Sequence, residues 1–143
     1  MSLSQVIKRA VHQRANGCCE YCKLSAEDAA VPFHVDHIIP RKHDGSDELD
    51  NLCLACFDCN MYKSHDLTGF DPETGKITPL FNPRQHDWSD HFDIQMDLQI
   101  HGLTPQGRTT VRVLKINQRE RVEDRRALSQ LGTYPCISQQ STD

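Results

Sequence analysis

The sequence has few aromatic residues and no long hydrophobic run, and each shortage excludes a class of protein. Aromatic residues make up 6% and hydrophobic residues 37% of the 143 residues, and the mean hydropathy is −0.61. No apolar stretch approaches the ~20 residues that a membrane-spanning helix needs. The first residues also lack the continuous apolar stretch of a secretory signal peptide. We therefore expect a cytosolic protein of one domain, or a core with an appendage, whose own hydrophobic core is thin.

An excess of basic charge is also absent. The net charge is −4 and the sequence pI is about 6.0, which argues against a strong, sequence-independent grip on nucleic acid. The charge is uneven, however. Residues 105–126 contain seven basic and three acidic residues and carry +4, so the rest of the chain carries −8. Any contact with nucleic acid would therefore depend on a local basic patch.

Cysteine, in contrast, is abundant. Seven cysteines in a reducing compartment predict metal ligands before disulfides, and the odd number leaves at least one cysteine spare. Cys19-x-x-Cys22 and Cys56-x-x-Cys59 offer four thiolates, which can close a tetrahedral shell around Zn²⁺. Such a shell has no open coordination position, so we expect a structural zinc that adds folding energy to a thin core.

Other uses of the cysteines remain open. Cys18 is adjacent to the first pair, and Cys53-x-x-Cys56 is an alternative to the second pair. We favour the pairs given above because Cys53 falls within a predicted strand, where a small buried residue fits. Cys136 lies near the end of the sequence and is expected to be unligated. Buried or reactive cysteines without a metal are the remaining alternative.

The predicted elements place the two cysteine pairs on either side of one unit. We predict a helix over 3–15 that ends at Asn16-Gly17, a strand over 33–39, a strand over 52–55 and a helix from about 57 to 64. The 33 residues between the cysteine pairs exceed the ~15–20 of an ordinary zinc ribbon. The excess matches an inserted strand, loop and strand.

The rest of the chain is expected to form an extension. We place the core at residues 1–66 and the extension, packed on it, at residues 67–143. In the extension we predict a hairpin over 68–78, an irregular stretch over 80–90, a second hairpin over 91–101, a helix from Thr104-Pro105 and a flexible tail from about 132. Asn117-x-x-Glu120 has capping-box spacing, which either starts a new helix or lies within one continuous helix.

A second set of polar residues lies between the cysteine pairs or directly after them. Asp36 and Asn60 offer hard oxygen ligands that suit Mg²⁺ or Mn²⁺, and such a cation can stabilise charge on a phosphate. His37 can deprotonate an attacking water, and Asn51 can brace the loop that carries His37 through backbone hydrogen bonds. An isolated Asp-His pair is more often a hydrogen-bonded surface pair. The complete set in this position favours catalysis.

Together these motifs resemble the HNH endonuclease family, which has the ββα-metal (His-Me finger) core. The resemblance covers about residues 10–65. Its motifs are Cys19-x-x-Cys22, Val35-Asp36-His37-Ile38-Ile39-Pro40, Asn51-Leu52 and Cys56-x-x-Cys59-Asn60-x-x-Lys63. Segments 80–84, 88–92 and 102–108 resemble, more weakly, the tail of small stand-alone bacterial proteins of this family.

The resemblance implies an α+β fold and a role for each matching residue. His37 corresponds to the general base of the family, and Asn51 corresponds to the Asn that holds the loop of the base. Asp36 and Asn60 correspond to the ligands of the catalytic cation. The family pattern has His at the last position, and the Asn found here favours Mg²⁺ or Mn²⁺ over softer metals.

Several basic residues are candidates for contact with nucleic acid. Arg108, Arg112, Lys115 and Arg119 are spaced by four, three and four residues, so on a continuous helix they share one face. That face either lies against a phosphate backbone or is simply solvated, and a helix break near Asn117 would divide it.

Other charged residues lie closer to the HNH motifs or in the segment that follows them. Lys63 and Arg84 are further candidates for phosphate contacts, whereas His34 either faces the site or is a bystander. The loop between the two strands contains several acidic residues that are expected to repel DNA near the cut: Asp44, Asp47, Glu48 and Asp50.

The sequence thus predicts a zinc-stabilised, metal-dependent endonuclease that hydrolyses DNA and has no membrane partner. One alternative is a non-catalytic zinc-knuckle module that binds nucleic acid or protein. The joint presence of Asp36, His37, Asn51 and Asn60 argues against it. Another alternative is an RNA-cleaving toxin or defence nuclease, because the sequence has no base-reading element that separates DNA from RNA.

Overall fold

The computed structural model describes residues 2–137 and begins with the predicted amphipathic helix. Helix α1 (Gln5–Arg14) is capped by Ser4, whose hydroxyl oxygen accepts a hydrogen bond from Ile7 N at 3.2 Å. The helix ends before Asn16-Gly17, where both residues have positive φ angles, 53° and 72°. The predicted stop signal is therefore confirmed.

The unit between the cysteine pairs has the predicted order of elements. Strand β1 (His34–His37) pairs antiparallel with strand β2 (Leu52–Ala55), and helix α2 (Phe57–Lys63) follows directly. In this register, His37 lies opposite Leu52. All four residues of β2 are buried, whereas β1 has a mixed burial pattern. The α+β class and the strand–strand–helix core are therefore confirmed.

The rest of the described chain contains two further hairpins and three helices. These are strands β3 (Thr68–Phe70) and β4 (Ile77–Pro79), helix α3 (Trp88–His91), strands β5 (Phe92–Ile94) and β6 (Ile100–Gly102), and helices α4 (Pro105–Val113) and α5 (Arg119–Gln130). Each strand pair is antiparallel, so both predicted hairpins are confirmed. The stretch expected to be irregular includes the short helix α3.

The last two helices are separate, and Asn117 does not cap the second one. Gln118 occupies the N-cap position of α5, and its side chain makes no capping hydrogen bond. Asn117 instead clamps β6: its Oδ1 accepts from Ile100 N and its Nδ2 donates to Ile100 O, both at 2.9 Å. The alternative of a new helix is therefore confirmed, but Asn117 as its cap is wrong, because a tertiary contact occupies the side chain that the capping box requires.

One apolar cluster joins the two halves of the described chain. It includes Val11 of α1, the strand β2 and, from the later elements, Phe81, Ile100 and Leu114. Burial of such side chains contributes about 1.5–3 kcal/mol each. Residues beyond 66 thus pack against the strand–strand–helix unit, while the exact boundary at 66 stays a prediction.

The segment after α5 is held against the first cysteine pair. Cys136 forms a disulfide with Cys18, and its backbone N donates to Lys23 O at 2.8 Å. Buried Tyr134 donates its hydroxyl to Cys22 O at 2.7 Å. Tyr134 and Cys136 thus contact the first cysteine pair and its neighbours, while the flexibility expected from about residue 132 stays a prediction. Residues 138–143 lie outside the described residues.

The same disulfide corrects the expectation that all cysteines are reduced. Cys18 and Cys136 are 118 positions apart in the sequence, so no local spacing could indicate their pairing. Within residues 2–137, no helix is both long and apolar enough to cross a membrane.

Candidate metal centre and active site

Four buried cysteines form a cluster suited to a metal ion. The Sγ atoms of Cys19, Cys22, Cys56 and Cys59 all lie within 4.8 Å of one another. Those of Cys22 and Cys56 are 3.7 Å apart. Four Zn–S bonds of about 2.3 Å in a tetrahedron separate the sulfurs by about 3.8 Å. The cluster therefore fits zinc, and the favoured pairs, without Cys53, are the ones that meet.

Each cysteine pair forms the same local turn. The backbone N of Cys22 donates to Cys19 Sγ, and the backbone N of Cys59 donates to Cys56 Sγ, both at 3.4 Å. In the second pair this sulfur also caps α2. The two-residue gap thus places two sulfurs on one side of each turn and stabilises them with backbone donors.

Arg121 of α5 lies against this cluster. Its side chain is 8% exposed, and its Nη2 is 3.0 Å from Cys59 Sγ and 3.9 Å from Cys56 Sγ. Burial favours the neutral form, but the nearby thiolates outweigh it and raise the pKa of Arg121. Four thiolates and one divalent cation leave a charge of about −2, which a guanidinium partly offsets. Sequence reasoning missed this role because nothing local marks Arg121 among the basic residues.

The predicted reactive residues line one cleft of about 320 Å³. Asp36 and His37 reach it from β1 and Asn60 reaches it from α2. Arg41 and His65 also line the cleft, although the sequence did not single them out. The structure therefore brings oxygen donors, an imidazole and a guanidinium together on one surface.

The carboxylate of Asp36 is buried and held mainly through one oxygen. Oδ2 accepts from the Tyr21 hydroxyl at 3.0 Å and lies 3.2 Å from Lys63 Nζ. Burial, and then the neighbouring Cys53 and Asp36, raise the pKa of Tyr21, so its hydroxyl stays protonated and donates. Among the described residues, Oδ1 has one long contact, 3.5 Å from Lys63 Nζ. Oδ1 is thus the oxygen with capacity left for a cation.

Lys63 does not extend into solvent as a phosphate contact would. It is 1% exposed, and its Nζ donates to His37 O at 3.1 Å and to Ile38 O at 3.2 Å. This burial argues against contact of Lys63 with nucleic acid, which stays a prediction. The residue instead neutralises Asp36 and ties the last turn of α2 to the end of β1.

His37 has a partner that the sequence did not indicate. Its Nε2 is 2.7 Å from Asp47 Oδ1, and Arg41 Nε is 3.0 Å from the same oxygen. Hydrogen bonds from Arg41 and then from His37 lower the pKa of Asp47. Asp47 was expected only to repel DNA, as part of an acidic loop. In the structure it contacts the predicted general base.

Asn51 connects both sides of the loop after β1. Its Nδ2 donates to Ile39 O at 2.9 Å and to Ser46 O at 2.8 Å, and its Oδ1 accepts from Ile39 N at 2.9 Å. Gly45 lies against this brace, where a Cβ atom would be 1.6 Å from Ile39 O. Only glycine fits there, because a side chain would displace the backbone that Asn51 holds.

Two of the predicted nucleic-acid contacts are occupied by internal ion pairs. Both Nε and Nη2 of Arg108 donate to the Asp71 carboxylate at 2.9 Å, which fixes α4 to the β3–β4 turn. Arg84 pairs with Glu20. These ion pairs argue against phosphate binding by Arg84 and Arg108, because carboxylates of the same chain already neutralise them, and that role stays a prediction.

The predicted basic stripe is also wrong, because α4 and α5 are two helices. Lys115 lies between them with a positive φ of 49° and places its Nζ over the Tyr62 ring, 5.2 Å from the centroid. Arg112 and Arg119 are exposed on different helices. Contact of Arg112, Lys115 or Arg119 with nucleic acid stays a prediction. His34 is exposed and lies outside the lining of the cleft.

Comparison with known proteins found a match to a family and a similar protein from a bacterium. Residues 19–66 match the family described as HNH endonuclease. Septu protein PtuB of Bacillus thuringiensis is 29% identical to the chain over 119 residues, which are 81% of this chain and 43% of that relative. The chain thus spans less than half the length of the relative. No solved structure matches the chain significantly.

Proposed function

Because residues 19–66 match the HNH endonuclease family, we propose that the chain is a metal-dependent endonuclease that hydrolyses phosphodiester bonds in DNA. The observation that carries the proposal is the meeting of Asp36, His37 and Asn60 in one cleft. The family match alone indicates a nuclease. The hard-oxygen donors and the imidazole in the cleft supply the groups that metal-assisted hydrolysis needs.

In this proposal Asp36 and Asn60 are the residues that would hold a Mg²⁺ or Mn²⁺ ion in the cleft, and both offer oxygen donors. Tyr21 and Lys63 orient the carboxylate through its other oxygen. A bound cation supplies Lewis-acid stabilisation of the charge that develops on the phosphate. The oxygen donors favour a hard cation over softer metals.

His37 acts as the general base and takes a proton from the attacking water. Asn51 keeps the backbone around His37 in place through its bonds to Ile39 and Ser46. The expected products carry 5′-phosphate and 3′-hydroxyl ends, as the resemblance to this family implies. The four-cysteine cluster holds a structural zinc, and the proposed site of action is the cytoplasm.

Incubation of the purified protein with plasmid DNA and with RNA, in Mg²⁺, Mn²⁺ or EDTA, tests the activity. We expect cleavage of DNA with either cation and none with EDTA. His37→Ala should lower the rate by about 10²–10⁴-fold. His34→Ala is the matched control, since it makes the same change in the same strand outside the cleft, and it should cleave like the wild type.

Several outcomes would contradict the proposal. Cleavage that survives in His37→Ala rules out the assigned base. A protein that binds DNA without cutting it is the non-catalytic zinc-knuckle module, and one that cuts only RNA is the alternative nuclease. Equal zinc content in wild type and variants shows that the fold is intact.

A second experiment tests Asn60 as a metal ligand. Asn60→Ala should raise the Mg²⁺ concentration that gives half-maximal cleavage, because one oxygen donor is lost. Asn60→Asp is the comparison variant, since it keeps an oxygen donor and should cleave at low Mg²⁺. An unchanged metal titration in Asn60→Ala would exclude this residue as a ligand.

A further inference from the structure

We propose that Asp47 is the positioning residue of the general base: it fixes the His37 ring so that Nε2 carries a proton and Nδ1 accepts the proton of water. This inference rests on the proposed function and deepens it. The direct observation is the 2.7 Å separation of His37 Nε2 and Asp47 Oδ1. This contact gives the acidic loop between β1 and β2 a role in orienting the general base.

The chemistry of the two groups sets the direction of this hydrogen bond. An ionised carboxylate only accepts hydrogen bonds, so Nε2 must be the donor. Arg41 and His37 lower the pKa of Asp47, which keeps the carboxylate ionised at neutral pH. In a neutral imidazole whose Nε2 carries the proton, the lone pair lies on Nδ1. The contact therefore selects which nitrogen acts as the base.

The loop that carries Asp47 is itself held in place. Ser46, the preceding residue, accepts a hydrogen bond from Asn51 Nδ2 through its backbone oxygen at 2.8 Å. The same Asn51 amide binds both backbone polar groups of Ile39, two residues after His37. Asn51 thus fixes the distance between the backbone of the base and the backbone of its carboxylate partner. The two contacts form one support for the ring.

Arg41 adds a second constraint on the same carboxylate. Its Nε is 3.0 Å from Asp47 Oδ1, and the residue lines the cleft with His37. A guanidinium in this position keeps Asp47 ionised and fixes the oxygen that faces the imidazole. Because the Asp47 side chain is 48% exposed, its effect is geometric selection of a tautomer and not strong electrostatic stabilisation.

The competing role of Asp47 is repulsion of DNA by the acidic loop, and the two roles predict opposite effects. Removal of a repelling charge should tighten DNA binding and raise the cleavage rate at low DNA concentration. Removal of the partner of the base should lower kcat and leave KM nearly unchanged. Asp50, an exposed acid in the same loop, provides the matched control for charge alone.

The first test compares Asp47→Asn with Asp50→Asn in steady-state cleavage of plasmid DNA. We expect Asp47→Asn to lower kcat by about 10- to 100-fold with KM within about twofold of wild type. Asp50→Asn should keep the wild-type kcat. Equal kinetics of the two variants, or a higher rate in Asp47→Asn, would overturn the proposal. Failure of the wild type to cleave would instead overturn the proposed function.

The second test needs no activity. In uniformly ¹⁵N-labelled protein, long-range ¹H–¹⁵N correlations through the carbon-bound ring protons report which nitrogen of His37 carries the proton, even when that proton exchanges rapidly with water. His37→Ala identifies the correlations by their loss. We expect the proton on Nε2 in the wild type and in Asp50→Ala, and a larger share of the form protonated on Nδ1 in Asp47→Ala. The same tautomer in the wild type and in Asp47→Ala would overturn the inference.

Discussion

At the scale of single residues, Asp36 and Lys63 depend on each other. Both are buried, with Asp36 5% and Lys63 1% exposed, and their charged groups are 3.2 Å apart. A buried charge that loses its partner is strongly destabilising, although the intact pair adds little net stability. The proposed metal ligand is thus held by a cation that belongs to the same fold.

Replacement of Lys63 by methionine should therefore destabilise the protein by about 3–5 kcal/mol. Urea unfolding measures the change in the free energy of unfolding. Lys42→Met is the control, because Lys42 is exposed and should change stability by no more than about 0.5 kcal/mol. If Lys63→Met weakens DNA binding but leaves stability unchanged, Lys63 is a phosphate contact after all.

Gly45 is the second residue whose effect follows from one contact. Gly45→Ala would place a Cβ atom 1.6 Å from Ile39 O, so the loop braced by Asn51 must move. We expect a large loss of cleavage together with lower thermal stability, measured by plasmid cleavage and by the melting temperature. Gly75→Ala is the comparison, because Gly75 has positive φ but no atom within 4 Å of the added Cβ. Gly75→Ala should retain cleavage activity. An equal loss of cleavage in both variants would show that contact of residue 45 with the Asn51-held loop is not the cause.

At the scale of secondary-structure elements, α5 is part of the cysteine cluster. Nη2 of Arg121 contacts Cys59 Sγ, and Nη1 of the same guanidinium donates to Leu114 O at 2.6 Å. The helix therefore links the C-terminal end of α4 to the N-terminal end of α2. Its contribution to the metal site is charge as well as packing.

Arg121→Met should therefore speed zinc loss. We expect about a 10- to 100-fold faster transfer of zinc to a colorimetric chelator than in wild type. Arg119→Met is the control on the same helix, since its side chain is 86% exposed. Equal transfer rates in Arg121→Met and wild type would show that the guanidinium does not stabilise the thiolates.

The elements differ in how far the sequence could predict them. The core unit β1, β2 and α2 followed from local patterns, namely two short apolar segments separated by a polar loop and placed between the two cysteine pairs. The sequence left open whether α4 and α5 are one helix or two, and it misplaced the cap of α5, because Asn117 is engaged by Ile100 in a different element. Likewise, no local sequence pattern distinguishes Lys63 or Arg108 from an exposed basic residue. Only the fold shows that Lys63 is buried and that Asp71 neutralises Arg108.

At the scale of the whole molecule, a cysteine cluster and a disulfide connect the first cysteine pair and the adjacent Cys18 to distant parts of the chain. The four-cysteine cluster joins Cys19 and Cys22 to α2, and the disulfide joins Cys18 to Cys136. The expectation of a reducing cytosol remains a prediction, and the disulfide argues against it. The sequence could not reveal the disulfide, because its two cysteines lie far apart and outside any motif.

Reduction of the disulfide should lower the melting temperature without removing zinc, because neither Cys18 nor Cys136 lies in the cluster. A loop of this size stabilises a protein by up to about 4–5 kcal/mol in the chain-entropy model. Calorimetry with and without a phosphine reductant measures the shift. Cys136→Ser should melt at one temperature under both conditions. A reductant-insensitive wild type would show that the disulfide does not contribute.

The contact between Arg121 and Cys59 has a consequence for the order in which the site is completed during synthesis. A ribosome that has finished α2 has already made all four cysteines, Asp36, His37 and Asn60. Arg121 follows Cys59 by 62 positions, and Tyr134 and Cys136 follow later still. A nascent chain therefore contains every group proposed for hydrolysis before it contains the groups that hold the cysteine cluster. Full stabilisation of the strand–strand–helix core therefore awaits translation of the extension.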